Sequence, residues 1–182
     1  MSSRPHSSVL HRFFAALTEQ TFQSQLGVAD PQMLDYLSGL LTRFVHTDTI
    51  YHVKAPTGRR LDEVAEMLQE GEARTGSPRR NVHRHIGDYT LFWTGLYPEA
   101  LRSKQSAPRK DFFLDYCSQG KRSYYLASTM GEDEHAEENG ILARLSHEFE
   151  LCAYGLREVR REWERRDGLG DDGESSRPVI LD

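Results

Sequence analysis

Leu142-Ala-Arg-Leu145-Ser-His-Glu-Phe149-Glu-Leu-Cys152-Ala-Tyr-Gly-Leu156-Arg-Glu-Val159-Arg-Arg-Glu-Trp163 is the stretch that decides the fold. Its apolar residues recur at alternating intervals of 3 and 4, the signature of a helix lying along a seam between other helices. The flanking charges agree with a helix dipole. Glu132, Asp133, Glu134, Glu137 and Glu138 crowd the start, and Arg157, Arg160, Arg161, Arg165 and Arg166 crowd the finish. One long C-terminal helix is therefore expected.

Working outward, the rest of the chain reads as helices and turns. Val9, Phe13 and Leu17, with Leu10 and Phe14 beside them, predict a first helix from about Ser8 to Leu26, stopped by Gly27. Asp30-Pro31 supplies a cap followed by proline, and Leu34, Leu37, Leu41 and Phe44 carry the second helix to about His46. The segment Thr47 to Arg60 has no period and reads as a loop, ordered through Ile50, Tyr51 and Val53. Leu61, Val64, Ala65 and Leu68 form the stripe of a third helix, which leaves Glu63 and Glu66 facing out.

Ser77-Pro78 opens a central helix running to about Thr94, with a wide apolar face of Val82, His85, Ile86, Tyr89, Phe92, Trp93 and Leu96. Its opposite face, His83, Gly87, Thr90 and Thr94, is small and polar, so His83 is expected in solvent. A fifth helix spans Asp111 to Met130, with Phe113, Tyr116, Cys117, Gly120 and Tyr124 on one side. The fold class is all-α: a single-domain bundle of about five main helices over residues 1–167, followed by a polar tail at 168–182 in which Val179-Ile180-Leu181 is the one apolar run.

Composition narrows the function classes. The chain has 182 residues, 37% of them hydrophobic, and its 23 basic and 28 acidic residues give a net charge of −5. There is no overall basic footprint for nucleic acid; Arg79, Arg80 and Arg84 are the best local patch for an anionic partner. No run approaches the roughly 20 apolar residues of a membrane span, so a soluble, cytoplasmic protein is expected. Cys117 and Cys152 fall in helices without a C-x-x-C pattern and read as reduced core thiols.

Ionisable groups meet aromatic residues in one place. His85-Ile-Gly-Asp88-Tyr-Thr-Leu-Phe-Trp-Thr-Gly95 threads an imidazole and a carboxylate through the apolar centre of the chain, where each needs a partner. The C-terminal seam, extended backwards, carries His135 and Glu138. If His85, Asp88, His135 and Glu138 converged, they would form a set suited to zinc, iron or manganese. Di-iron bundles use two Glu-x-x-His motifs, and here Glu132-x-x-His135 stands alone. The preferred reading makes Asp88 a structural acceptor for Tyr116 or Tyr124, or a partner of Lys121 or Arg122, near a helix crossing at Gly87, Gly95 and Gly120. No Gly-x-Ser-x-Gly, His-Glu-x-x-His or phosphate-binding loop is present.

The run His85-Ile-Gly-Asp88-Tyr-Thr-Leu-Phe-Trp-Thr-Gly95-Leu-Tyr-Pro-Glu99, with Asp115-Tyr116-Cys-Ser-Gln-Gly120-Lys-Arg-Ser-Tyr124 after it, resembles a group of small bacterial all-helical proteins with no assigned activity. The likeness extends from about Asp30 to Trp163 and implies the helical fold and a bacterial source. The sequence thus points first to a non-catalytic protein-interaction or regulatory module that self-associates, with no cofactor, and second to a bundle binding a metal or small ligand.

Overall fold

A computed structural model of the chain describes residues 5–45, 50, 52–131 and 133–169. Among these residues there are eight α-helices and no strand, so the all-α reading holds while the helix count rises. The elements are α1 (Pro5–Thr21), α2 (Pro31–Phe44), α3 (Val64–Ala73), α4 (Gly76–Leu96), α5 (Leu101–Lys104), α6 (Tyr116–Ser128), α7 (Ala136–His147) and α8 (Phe149–Leu169). No helix among the described residues is long and apolar enough to cross a membrane.

Local signals set most boundaries. A π-helical turn, Phe22–Leu26, extends α1 until Gly27 adopts φ 67° and returns its N–H to the Phe22 carbonyl. Asp30 caps α2 by accepting from the Met33 N–H at 3.1 Å, with Pro31 in the first turn. Between α2 and α3 the chain turns back on itself at Gly58, pairing Lys54 with Arg60 and burying Ile50, Val53 and Leu61.

The expected long last helix is two helices. Glu148 ends α7, its N–H bonded to the Arg144 carbonyl at 2.8 Å, while its own carbonyl accepts from Cys152 N–H as α8 begins. No glycine or proline marks the break. Leu142, Leu145, Phe149, Cys152, Leu156 and Val159 are nevertheless all fully buried, so the seam continues across it. The break lets α7 pack on α6 and α2 while α8 runs along α4 and α1.

At the centre, α4 packs against α6, α8, α3 and α2. Its small face is the one α6 covers, so the expectation of a solvent-facing His83 does not hold. A Cβ on Gly87 would stand 2.5 Å from the Tyr124 ring, and one on Gly120 would overlap Phe149 and Thr90. Small residues are what allow the two helices to approach. His83, on the same face, is 3% exposed and lies against Gly71 of α3.

Three further expectations are corrected. Asp111 does not begin a helix: Lys110–Phe113 is a 3-10 turn, and α6 starts at Tyr116 behind a cap from Asp115. Phe113 consequently points outward, 91% exposed. Glu66 is buried rather than facing out, because Arg59 and Lys110 fold over it. At the C-terminus α8 reaches Leu169, past the expected tail boundary, and Val179-Ile180-Leu181 lies outside the described residues, as do His46 and Glu132.

Candidate functional site

Helical spacing places Arg80, Arg84 and Asp88 on one face of α4, each four residues from the next. Arg80 is 2% exposed. Its Nη2 donates to Glu138 Oε2 at 2.8 Å and Asn139 Oδ1 at 2.7 Å, and its Nε donates to the Met130 carbonyl at 3.1 Å. Arg84 Nη1 donates to the other Glu138 oxygen at 2.6 Å. Glu138 therefore bridges two guanidiniums and ties α7 to α4. Burial works against its ionised form, yet Arg80 and Arg84 outweigh that and hold its pKa below the usual carboxylate range.

One turn further along, Asp88 gathers two other helices. Tyr36 of α2 and Tyr124 of α6 donate to the same oxygen, Oδ1, at 2.7 and 2.8 Å. Arg43 of α2 donates to Oδ2 at 3.1 Å. Burial first, and the Asp88 carboxylate second, push both phenols well above their ordinary pKa. Both hydroxyls are thus fixed as donors at any physiological pH. Each oxygen of Asp88 and of Glu138 is engaged by side chains of the bundle, an arrangement that clamps helices and leaves neither carboxylate free as a general base.

The residues singled out from the sequence separate into distinct environments. Asp88 meets Tyr124, whereas Tyr116 donates to Asp111 instead. Lys121 pairs with Glu150 at 2.7 Å, away from Asp88. His85 is 6% exposed, packed among the rings of Phe44, His52 and Tyr89. His135 is half-buried at the entry to α7, beside Gly131. Among the described residues no group of three or more His, Cys, Asp or Glu side chains is disposed to hold a metal ion, so no three of His85, Asp88, His135 and Glu138 converge.

Burial lowers the His85 pKa to about 4, with Asp88 opposing and His52 adding to the shift. His83 is lowered by burial and by Arg79 and Arg122. Burial likewise pushes the thiols up, Cys117 to about 11 and Cys152 to about 12. Both cysteines are free, and neither is activated as a nucleophile.

Sequence reasoning missed Tyr36, Arg43 and Asp111. It also took Arg80 and Arg84 for a surface patch. Their spacing to Asp88 was readable, but the acidic partner on α7 lies 58 residues away from Arg80. Elsewhere, a groove of about 500 Å³ opens between Val28, Asp30 and Met33 on one side and Arg144, His147 and Leu151 on the other. No family model, curated protein or solved structure matches the chain.

Proposed function

We propose that the chain is a non-catalytic, cytoplasmic protein-interaction module, a single-domain helical bundle that associates with a second copy of itself along α1. The observation that supports this reading is an apolar stripe turned outward: Val9 is 66% exposed and Phe13 37%, with exposed Ala16 one turn on. Phe13 also meets the half-buried Trp163 of α8 edge-on, ring centres 6.4 Å apart. A stripe with large side chains at one end and a small one at the other is self-complementary. In an antiparallel α1 pair about a two-fold axis, Val9 of one copy faces Ala16 of the other. The clamped state of Asp88 and Glu138 fits a structural rather than catalytic use of the polar core.

Light scattering coupled to gel filtration across a dilution series tests it. The expected result is a concentration-dependent dimer that Phe13→Glu converts to monomer without loss of helicity. A wild-type protein that stays monomeric at high concentration overturns the reading.

A further inference from the structure

His52 and His85 bring two imidazoles together from different parts of the chain, His85 from the middle of α4 and His52 from the connection between α2 and α3. Their ring centres are 5.9 Å apart, with the planes inclined at 50°. His52 is exposed and His85 is 6% exposed, so the pair runs from solvent into the core. The Nε2 atom of His85 is buried and has no hydrogen-bond partner. A buried polar atom left unpaired is unfavourable, and a ligand on it would relieve that. The backbone of Ile50 offers the same ring a hydrogen bond, as a carbonyl does behind a ligating histidine when it orients the ring and fixes its tautomer.

The separation leaves room for a shared ion. A transition metal lies about 2.0–2.1 Å from a ligating imidazole nitrogen and hence about 3.2 Å from the ring centre. Two rings on one ion then have centres roughly 5.2 Å apart at a tetrahedral angle and roughly 6.4 Å apart when collinear. The observed spacing falls between these limits. We propose that His52 and His85 bind a divalent zinc-class cation, with the remaining coordination positions open to water or an external ligand. Imidazole donors without thiolates or carboxylates select zinc, copper or nickel over magnesium or calcium. Phe44 and Tyr89 flank His85 on its protein side, and burial keeps that imidazole in the neutral form a metal requires. With two protein ligands the site binds weakly and reversibly, and the fold stands without the metal.

The test is zinc titration of untagged protein at neutral pH against a chromophoric chelator, together with nitrogen-15 spectra of the histidine rings. One zinc per chain is expected, with a displaced Nε2 resonance for His85. His52→Ala, a change at an exposed position, should keep the helical spectrum and weaken binding by at least about tenfold, while His147→Ala leaves it unchanged. Equal zinc affinity in His52→Ala, or a His85 resonance that does not move at saturating zinc, overturns the proposal. Because His52 alone decides the affinity arm, the conclusion does not depend on whether a His85 variant folds.

Discussion

Asp111 caps α3 from 47 residues downstream, its Oδ2 accepting the Val64 N–H at 2.9 Å. Its Oδ1 accepts the next amide, Ala65 N–H, at 2.8 Å, and Tyr116 donates its hydroxyl to Oδ2. One fully buried carboxylate thus closes the start of α3 and anchors the start of α6. Asp111→Ala removes a cap worth about 0.5–2 kcal/mol and strands a buried hydroxyl at about 1–3 kcal/mol. The expected loss in urea unfolding is about 2–4 kcal/mol, and Asp111→Asn, which keeps one acceptor oxygen, should cost less. Equal stability of Asp111→Ala and wild type would show that the cap contributes nothing.

Asp88 sets a different comparison. Tyr36→Phe and Tyr124→Phe each delete one donor and should cost about 0.5–1.5 kcal/mol. Asp88→Ala leaves two buried hydroxyls and the Arg43 guanidinium without their shared acceptor, and should cost about 3 kcal/mol or more. The double phenylalanine variant should make the later loss of Asp88 milder. That non-additivity, measured as a thermodynamic cycle, separates a clamp from independent contacts.

Gly87→Ala opposes two effects of known size. Alanine gains about 1 kcal/mol of helix propensity over glycine, but its methyl would stand 2.5 Å from the Tyr124 ring, which Asp88 holds in place. Overpacking of this kind costs about 1–3 kcal/mol. Net destabilisation is expected by thermal melting, and Gly87→Ala should recover stability when Tyr124 is shortened to leucine.

Acid should weaken the cover over α3. The paired Arg59 guanidinium, and then Lys110, hold the Glu66 pKa below its ordinary value. A carboxylate depressed in the folded state contributes stability above its unfolded pKa and loses it as pH falls through the folded one. Unfolding free energy should therefore drop as pH is lowered through and below the ordinary carboxylate range. Glu66→Gln should flatten that part of the profile; an unchanged slope would show that the pair has no effect on stability.

Thiol chemistry provides an independent check on packing. Cys152 is buried, with its Sγ 3.8 Å from the Met33 sulfur, while Cys117 is half-buried. At neutral pH a thiol-specific disulfide reagent should label Cys117 slowly and Cys152 only on unfolding. Prompt labelling of Cys152 in native protein would contradict a closed core around α8.

Much of the helical architecture was legible because its signals are local. Asp30-Pro31 places its cap and proline beside the helix they start, and the stripe from Leu142 to Val159 needs no knowledge of its neighbours. The features that escaped depended on distant segments. Asp111 looked like the start of its own helix because Val64 and Ala65 lie far upstream. His83 looked solvent-facing because small polar residues also occur on wet surfaces; Gly87 and Gly120 already point to a close helix crossing, but only the positions of α3 and α6 show the imidazole covered. Glu66 was misread for a related reason, since long basic side chains bury a carboxylate that the helix stripe alone turns outward. The Asp88 site was half visible. Tyr124 lies in the companion motif, but Tyr36 and Arg43 come from a helix whose apolar pattern gives no sign of that contact.

The break between His147 and Phe149 makes the chain unequal in its tolerance of length changes. Each residue inserted into a helix rotates the downstream side chains by about 100° around its axis. An insertion within α7 would swing Leu142 or Leu145 off the seam, and one early in α8 would unseat Leu156 and Val159. At Glu148, where the helical ladder is already interrupted, an added residue can be absorbed by reshaping the joint. That joint is therefore where lineages of this protein should differ in length while keeping both arms intact.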